Sequence, residues 1–275
     1  MVTGATGNVG RALVERLVSE DRPVRALTRD PQRAALPAAA EVVQLQLDDP
    51  ATLFRGASQL FLYIQAAGER TAAFLEAARQ AGVRHVVMLS SGIIREGADE
   101  THPIHVMHAT TERVVRDSGL QWTFLRPNAF ATNAFQWAPQ IRAGNTVRGV
   151  FADSQSAPIH EDDIAAVAQR VLVDGGHEGA VHRLTGPEAI TTAGQVAAIG
   201  RALGRDLHFV EMPPDEASAE LFPHVPPPVL QALLKTYEAA VGVPPEITTT
   251  VEKITGTPAR AFATWAEDHA DDFRA

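Results

Sequence analysis

Three glycines at a three-residue spacing, Gly4, Gly7 and Gly10, open the chain in the run Met1-Val2-Thr3-Gly4-Ala5-Thr6-Gly7-Asn8-Val9-Gly10. Behind them Val9, Leu13, Val14, Leu17 and Val18 recur at helical spacing, so strand residues, a tight turn and a helix N-terminus follow one another directly. In that order the first glycine permits the turn and the second lets the backbone approach a pyrophosphate. The third allows helix to pack close on strand, while free N–H groups face the anion. The spacing Gly-x-x-Gly-x-x-Gly is not the Gly-x-Gly-x-x-Gly of the commonest dinucleotide fingerprint, which narrows the choice of family. Only Met1 to Thr3 remain for the first, central strand, so we expect either an unusually short strand or a natural start upstream.

Beyond the turn, strands are predicted at 23–28, 42–47, 59–64, 85–89 and 122–125, with helices at 30–36, 73–81 and 105–118 between them. Alternation with short connections implies right-handed crossovers and an α/β, Rossmann-type doubly wound parallel sheet, whose ligands bind outside the carboxyl ends of the strands. Residues 1–127 form the expected nucleotide-binding core. Residues 128–275 form a smaller C-terminal substrate-binding region, of which about 160–186 returns to the core. A helix over 164–172 starts at Glu161, Asp162 and Asp163, acids that cap a helix and complement its dipole. Further helices are predicted at 191–203 and 229–241, and the proline-rich stretch 212–228 reads as a loop or lid with Leu221, Phe222 and Val225 available to pack.

The absence of cysteine excludes disulfides, thiolate metal sites and cysteine nucleophiles. A net charge of -9 argues against a nucleic-acid partner. No segment approaches the ~20 apolar residues that span a bilayer, and nothing ahead of Gly4 can serve as a signal peptide, so no membrane partner and a cytoplasmic location are expected. Against the acidic balance, Arg22, Arg25, Arg29 and Arg33 cluster around the second strand. NAD binders usually end that strand with a carboxylate for the ribose hydroxyls, but here it ends Thr28-Arg29. Arg29, with Arg33 one helical turn later, suits a 2′-phosphate, which favours NADP(H), with Asp30 as the alternative ribose ligand.

With the Thr3-Gly4-Ala5-Thr6-Gly7-Asn8-Val9-Gly10 opening, the Thr28-Arg29-Asp30-Pro31 strand end and the Leu125-Arg126-Pro127-Asn128 turn, nearly the whole chain resembles the NmrA-like atypical short-chain dehydrogenases. Within that group the segment His108-Ala109-Thr110-Thr111-Glu112 and the following Asp117-Ser118-Gly119 are most similar to NADPH-dependent quinone oxidoreductases of the NmrA type. The resemblance implies a Rossmann core, an NADP-type ligand and a small substrate region toward the C-terminus. The cofactor-contacting set is then Gly4, Thr6, Gly7, Asn8, Val9, Gly10, Arg29, Arg33, Asp48, Ser90 and Asn128.

Ordinary short-chain dehydrogenases use a Tyr-x-x-x-Lys pair to protonate an alkoxide. The only tyrosines here are Tyr63 and Tyr237 and the only lysines Lys235 and Lys253, so no such pair exists. By the resemblance, His108 falls at the tyrosine position and Glu112 at the lysine position. Four residues apart on a helix, the carboxylate is expected to orient the imidazole or raise its pKa. Ser90, with Ser91, ends a strand where it can hydrogen-bond a substrate carbonyl or the nicotinamide. His102, His105 and His108 share a spacing suited to metal ligation, but Pro103 interrupts the first pair and no firm third ligand accompanies them, so no metal is expected.

Without a strong acid, the fitting acceptor is a quinone or a conjugated or polycyclic carbonyl, whose reduction yields a delocalised anion. The expected partner is therefore a small aromatic or quinone-like substrate, with Phe130, Phe135 and Trp137 lining its pocket. A homodimer is left open. The alternative is a non-catalytic NADP(H)-sensing regulator of the NmrA type, which lacks the same pair for a different reason.

Overall fold

The computed structural model describes residues 1–217, 221 and 225–274; Phe222 of the proline-rich stretch lies outside the described residues. In chain order the core runs α1 (Asn8–Ser19), β1 (Arg25–Thr28), β2 (Glu41–Gln44), β3 (Gln59–Tyr63), α2 (Thr71–Gln80), β4 (His85–Leu89), α3 (Pro103–Asp117) and β5 (Gln121–Pro127). There follow α4 (Ala138–Ala143), β6 (Thr146–Gly149), β7 (Gln155–Ser156), α5 (Glu161–Asp174), β8 (Val181–Leu184), β9 (Ile190–Thr191) and α6 (Thr192–Leu203). The chain continues through β10 (His208–Glu211), α7 (Pro227–Ala239), α8 (Thr250–Thr255) and α9 (Phe262–Asp268).

The first strand contracts to one bridged residue. Val2 forms parallel bridges to Ala26 and Phe61. Its N–H donates to the Arg25 carbonyl at 2.9 Å and its carbonyl accepts from Leu27 N–H at 2.8 Å. The Thr3 side chain then extends the ladder, its hydroxyl donating to the Phe61 carbonyl at 3.0 Å and accepting from Tyr63 N–H at 2.7 Å. The sheet therefore reads β2-β1-Val2-β3-β4-β5-β8, parallel throughout. Leu45 and Leu47, predicted to prolong β2, follow its end at Gln44 and pack as partly buried side chains.

Alternate side chains divide the sheet between two cores. Val2, Phe61, Val87 and Leu125 meet α1 and α5 on one face, whereas Leu60, Leu62, Val86, Met88 and Phe124 meet α2 and α3 on the other. A third core joins α4, α6 and α9 around Ile141, Ile199, Phe262 and Trp265.

The acids at the start of α5 do not cap it. His160 Nδ1 accepts the Asp162 N–H at 3.1 Å in that role. Glu161 instead accepts from Trp265 Nε1 at 3.0 Å and pairs with His269 at 2.7 Å, and Asp163 accepts the Arg260 N–H at 2.7 Å. These carboxylates fasten the C-terminal segment to the sheet's helical layer, a pairing across about a hundred residues of chain that no local signal reveals.

Burial alone would lower the His269 pKa, but its bonds and charge attraction to Glu161 and Asp272 outweigh that and raise it to about 9. The folded state thus holds a proton more tightly than the unfolded chain, and this stabilisation is fully present below pH 6.5 and lost as pH rises through about 9. Urea midpoints measured across that interval are expected to fall with pH, and the His269→Gln variant is expected to flatten the slope.

Candidate active site

The site begins where the chain leaves the sheet. Gly4 turns out of the Thr3 pairing with φ +61°, in the left-handed region, and the Gly7 N–H closes the turn on the Gly4 carbonyl at 3.0 Å. A Cβ on Gly10 would stand 2.1 Å from the Gly4 carbonyl oxygen, so only glycine lets α1 start this close to the turn. Gly7 is different: a Cβ there would meet only the Gly4 oxygen, at 3.4 Å. Its bareness is not demanded by the protein's own packing. It lies at the N-cap of α1, which has no side-chain cap bond and no acid in its first turn, leaving N–H groups and the positive end of the helix dipole for an anion.

A cleft of about 1520 Å³ opens over this turn, along the carboxyl ends of the strands. Among the predicted residues it brings together Gly4, Thr6, Gly7, Asn8, Val9, Gly10, Arg29, Ser90, His108 and Asn128, with Phe130 and Trp137 beyond them. Arg29 is exposed and makes no hydrogen bond or ion pair among the described residues. Arg11 steadies the segment behind it, donating to the Ala34 carbonyl at 2.9 Å and the Ala35 carbonyl at 2.5 Å.

Other predicted residues do not line the cleft. The segment after Asp30 is a single tight 3-10 turn, Pro31–Arg33, which sends Arg33 to solvent, 3.7 Å from Asp30 with 90% of its side chain exposed. Asp48 is 94% exposed and pairs with Arg70 at 2.6 Å. Arg25, of the basic cluster, is engaged by Glu41 at 2.9 Å. Phe135 belongs to the third core, tilted against Trp265 at 5.1 Å.

Glu112 also points away from the cleft. It is 1% exposed, accepting from Ser90 Oγ at 2.7 Å, Arg126 Nε at 2.8 Å, Arg126 Nη2 at 2.6 Å and Arg116 Nη2 at 2.9 Å. Burial pushes this carboxyl up, but the bonds from Arg126 and Ser90 and the two guanidinium charges hold it below its ordinary value. It shows no hydrogen bond to His108. Both residues lie on α3 at the expected spacing, yet the Glu112 carboxylate is claimed by Arg126 from β5. Glu112 positions Ser90 at the end of β4 rather than the imidazole.

His108 correspondingly moves against the expected direction. Burial lowers its pKa to about 4, with the Glu112 charge only partly opposing, so the imidazole is neutral at pH 7. Its Nδ1 is buried without a partner, as is Nε2 of His102, whose Nδ1 accepts the Ile104 N–H at 3.2 Å and caps α3. Among the described residues the group spaced like metal ligands is His160, Glu161 and His269, and these side chains already bond one another and their neighbours. Sequence reasoning did not place His102, Arg95 or Lys235 in the cleft, nor Tyr63 and Tyr237, all of which line it. Lys235 and Tyr237 arrive on α7, more than a hundred residues from the strands they overlook, and no motif marks them.

Replacing Glu112 by Gln is expected to destabilise the fold by about 3–5 kcal/mol at neutral pH, because Arg126 and Arg116 lose the anion they surround. The folded carboxyl titrates below its ordinary value, so its stabilisation is present above that value and lost as pH falls through the folded one. Denaturant titration of both proteins is therefore expected to show the difference shrinking in acid.

The family model described as NAD(P)H-binding matches residues 4–174. The (4-alkanoyl-5-oxo-2,5-dihydrofuran-3-yl)methyl phosphate reductase of Streptomyces griseus is 41% identical over 282 residues, covering 99% of this chain and 98% of that protein. The NAD(P)H azoreductase of Xenophilus azovorans is 32% identical over 290 residues, covering 100% and 99% respectively. The crystal structure of a new type of NADPH-dependent quinone oxidoreductase from Escherichia coli superposes with a TM-score of 0.78 at 25% identity, covering 97% of this chain and 98% of that one.

Proposed function

The chain belongs to the NAD(P)H-binding family and is an NAD(P)H-dependent oxidoreductase; from that premise we propose that it uses NADPH to reduce an electron-poor conjugated acceptor, a doubly activated enone or a quinone. One observation carries the proposal: His108, an imidazole of the cleft wall, is held neutral by burial, and the Glu112 carboxylate is turned away from the cleft onto Ser90 and Arg126. His108 stays neutral down to about 4, and burial raises the Tyr237 phenol above its ordinary value. Glu112, below them, is held ionised.

The bare Gly7 turn and the start of α1 suit a pyrophosphate, and the unpaired Arg29 suits a 2′-phosphate. When bound, the cofactor supplies a hydride. Ser90 has committed its hydroxyl proton to Glu112, so toward the cleft it can only accept, as from a carboxamide N–H. A neutral His108 can donate a hydrogen bond to a carbonyl oxygen but cannot deliver a proton easily. Such a site suits acceptors whose reduced form is a delocalised anion that water protonates. The furanone named for the Streptomyces griseus relative has this character, since its ring double bond is conjugated with both the ring carbonyl and the alkanoyl group.

Purified protein is expected to oxidise NADPH with 1,4-naphthoquinone and with 4-alkanoyl-5-oxo-2,5-dihydrofurans, and far more slowly with saturated aliphatic ketones. Between pH 5 and 8 the rate is expected to show no limb from a histidine titrating near its ordinary value, since His108 titrates near 4. Tight NADPH binding with no turnover of any acceptor would instead support the sensor reading. For the cofactor choice, Arg29→Ala is expected to weaken NADPH roughly 10- to 100-fold, as loss of a charged hydrogen bond does, and to leave NADH affinity nearly unchanged. Equal losses for both nucleotides would overturn that assignment.

A further inference from the structure

Charge in the cleft runs against charge in the chain. The sequence carries 33 acids against 24 lysines and arginines, yet the cleft is lined by three full cations, Arg29, Arg95 and Lys235, and two carboxylates, Asp99 and Glu246. Glu246 is taken up by Arg183, and Asp99 accepts from the Thr101 N–H at 2.9 Å and the Thr101 hydroxyl at 2.6 Å. Arg95 and Lys235 make no side-chain hydrogen bond or salt bridge among the described residues. Both are exposed, as a group awaiting an incoming anion has to be.

These two cations sit away from Arg29 and the glycine turn, to which the cofactor's phosphates are assigned above. Arg29 follows the carboxyl end of β1, whereas Arg95 follows that of β4. Val2 and β3 stand between those strands, and three interstrand steps at ~4.8 Å amount to about 14 Å. Lys235 comes from α7, which packs against α3. It faces the turn carrying Arg95, because the Ala98 N–H closes on the Arg95 carbonyl at 3.2 Å and the adjacent Asp99 feels the Lys235 charge. His102, Met107 and His108 line the cleft on the same side, along α3 and its start. A forked guanidinium and an ammonium lining one cleft are a fitting pair for a phosphate monoester, the first for bidentate bonding and the second as a point charge.

We propose that Arg95 and Lys235 form an anchor for the phosphate monoester of a phosphorylated conjugated acceptor, and so determine substrate specificity at the end of the cleft remote from Arg29. This rests on the reductase reading above, and it adds the group by which the acceptor is held.

The test compares kcat/KM for a (4-alkanoyl-5-oxo-2,5-dihydrofuran-3-yl)methyl phosphate with that for the corresponding alcohol, because the ratio cancels losses in folding or in cofactor binding. The wild-type ratio is expected to be about tenfold or more in favour of the phosphate and to fall as salt is raised. Arg95→Met and Lys235→Met should each lower the ratio by about tenfold, Lys235→Glu should lower it further, and Lys235→Arg should restore most of it. An unchanged ratio in the Met variants, or equal wild-type use of phosphate and alcohol while naphthoquinone is still reduced, overturns the anchor and leaves the reductase reading standing. If no acceptor is reduced, that reading fails, and calorimetric titration of the phosphate ester into the NADP-loaded protein decides the anchor. Binding weakened about tenfold by both Met substitutions sustains it, and absent or unaltered binding overturns it.

Discussion

Everything functional in this molecule hangs on how α1 meets the sheet. Val2 contributes a single bridged residue between β1 and β3, and the Thr3 hydroxyl continues that pairing for one more step on Phe61 and Tyr63. The backbone can then turn out at Gly4, and α1 starts so close above it that Gly10 has no room for a side chain. Helix and sheet are thereby fixed with the N–H groups of the first turn aimed across the strand ends. A longer separation would leave the same groups in water, where an anion gains little from them.

Glu112 fixes the end of β4 as this turn fixes the start of α1. Three charged or hydroxyl donors from β4, β5 and α3 converge on one buried carboxylate, which fixes the Ser90 hydroxyl without presenting an acid to the cleft. Its opposite in character is His108, buried with a ring nitrogen left unpartnered and neutral as a result. Two residues that a sequence places four apart on a helix, and that look like a proton relay, are separated by the helix's own inward and cleftward faces.

The parts of the fold governed by short-range pattern were legible. Continuous apolar runs marked β3 and β4, and the glycine spacing marked the turn, because both signals are local in origin. The end of β2 was less so, since Leu45 and Leu47 preserve the apolar alternation while packing after the strand ends. Arg33 was assigned by helical spacing, and the tight turn at Pro31 changes its direction. What escaped altogether depends on distant chain: Arg126 claiming Glu112, Trp265 and His269 claiming Glu161, and α7 bringing Lys235 over the cleft. Such pairings are set by tertiary packing, and spacing along the chain carries no trace of them.

On the proposed reading, a cleft whose His108 stays neutral and whose cations outnumber its carboxylates constrains its chemistry in two linked ways. Without proton transfer in the transition state, the barrier must be lowered by the acceptor's own delocalisation and by placement of its reacting carbon. Placement has to come from groups that do not react. An anion held at one end by Arg95 and Lys235, as proposed, supplies orientation from binding energy remote from the bond being reduced. On that reading the neutral His108 and the surplus cations have a common explanation: a site that selects an already activated acceptor and has only to hold it in place.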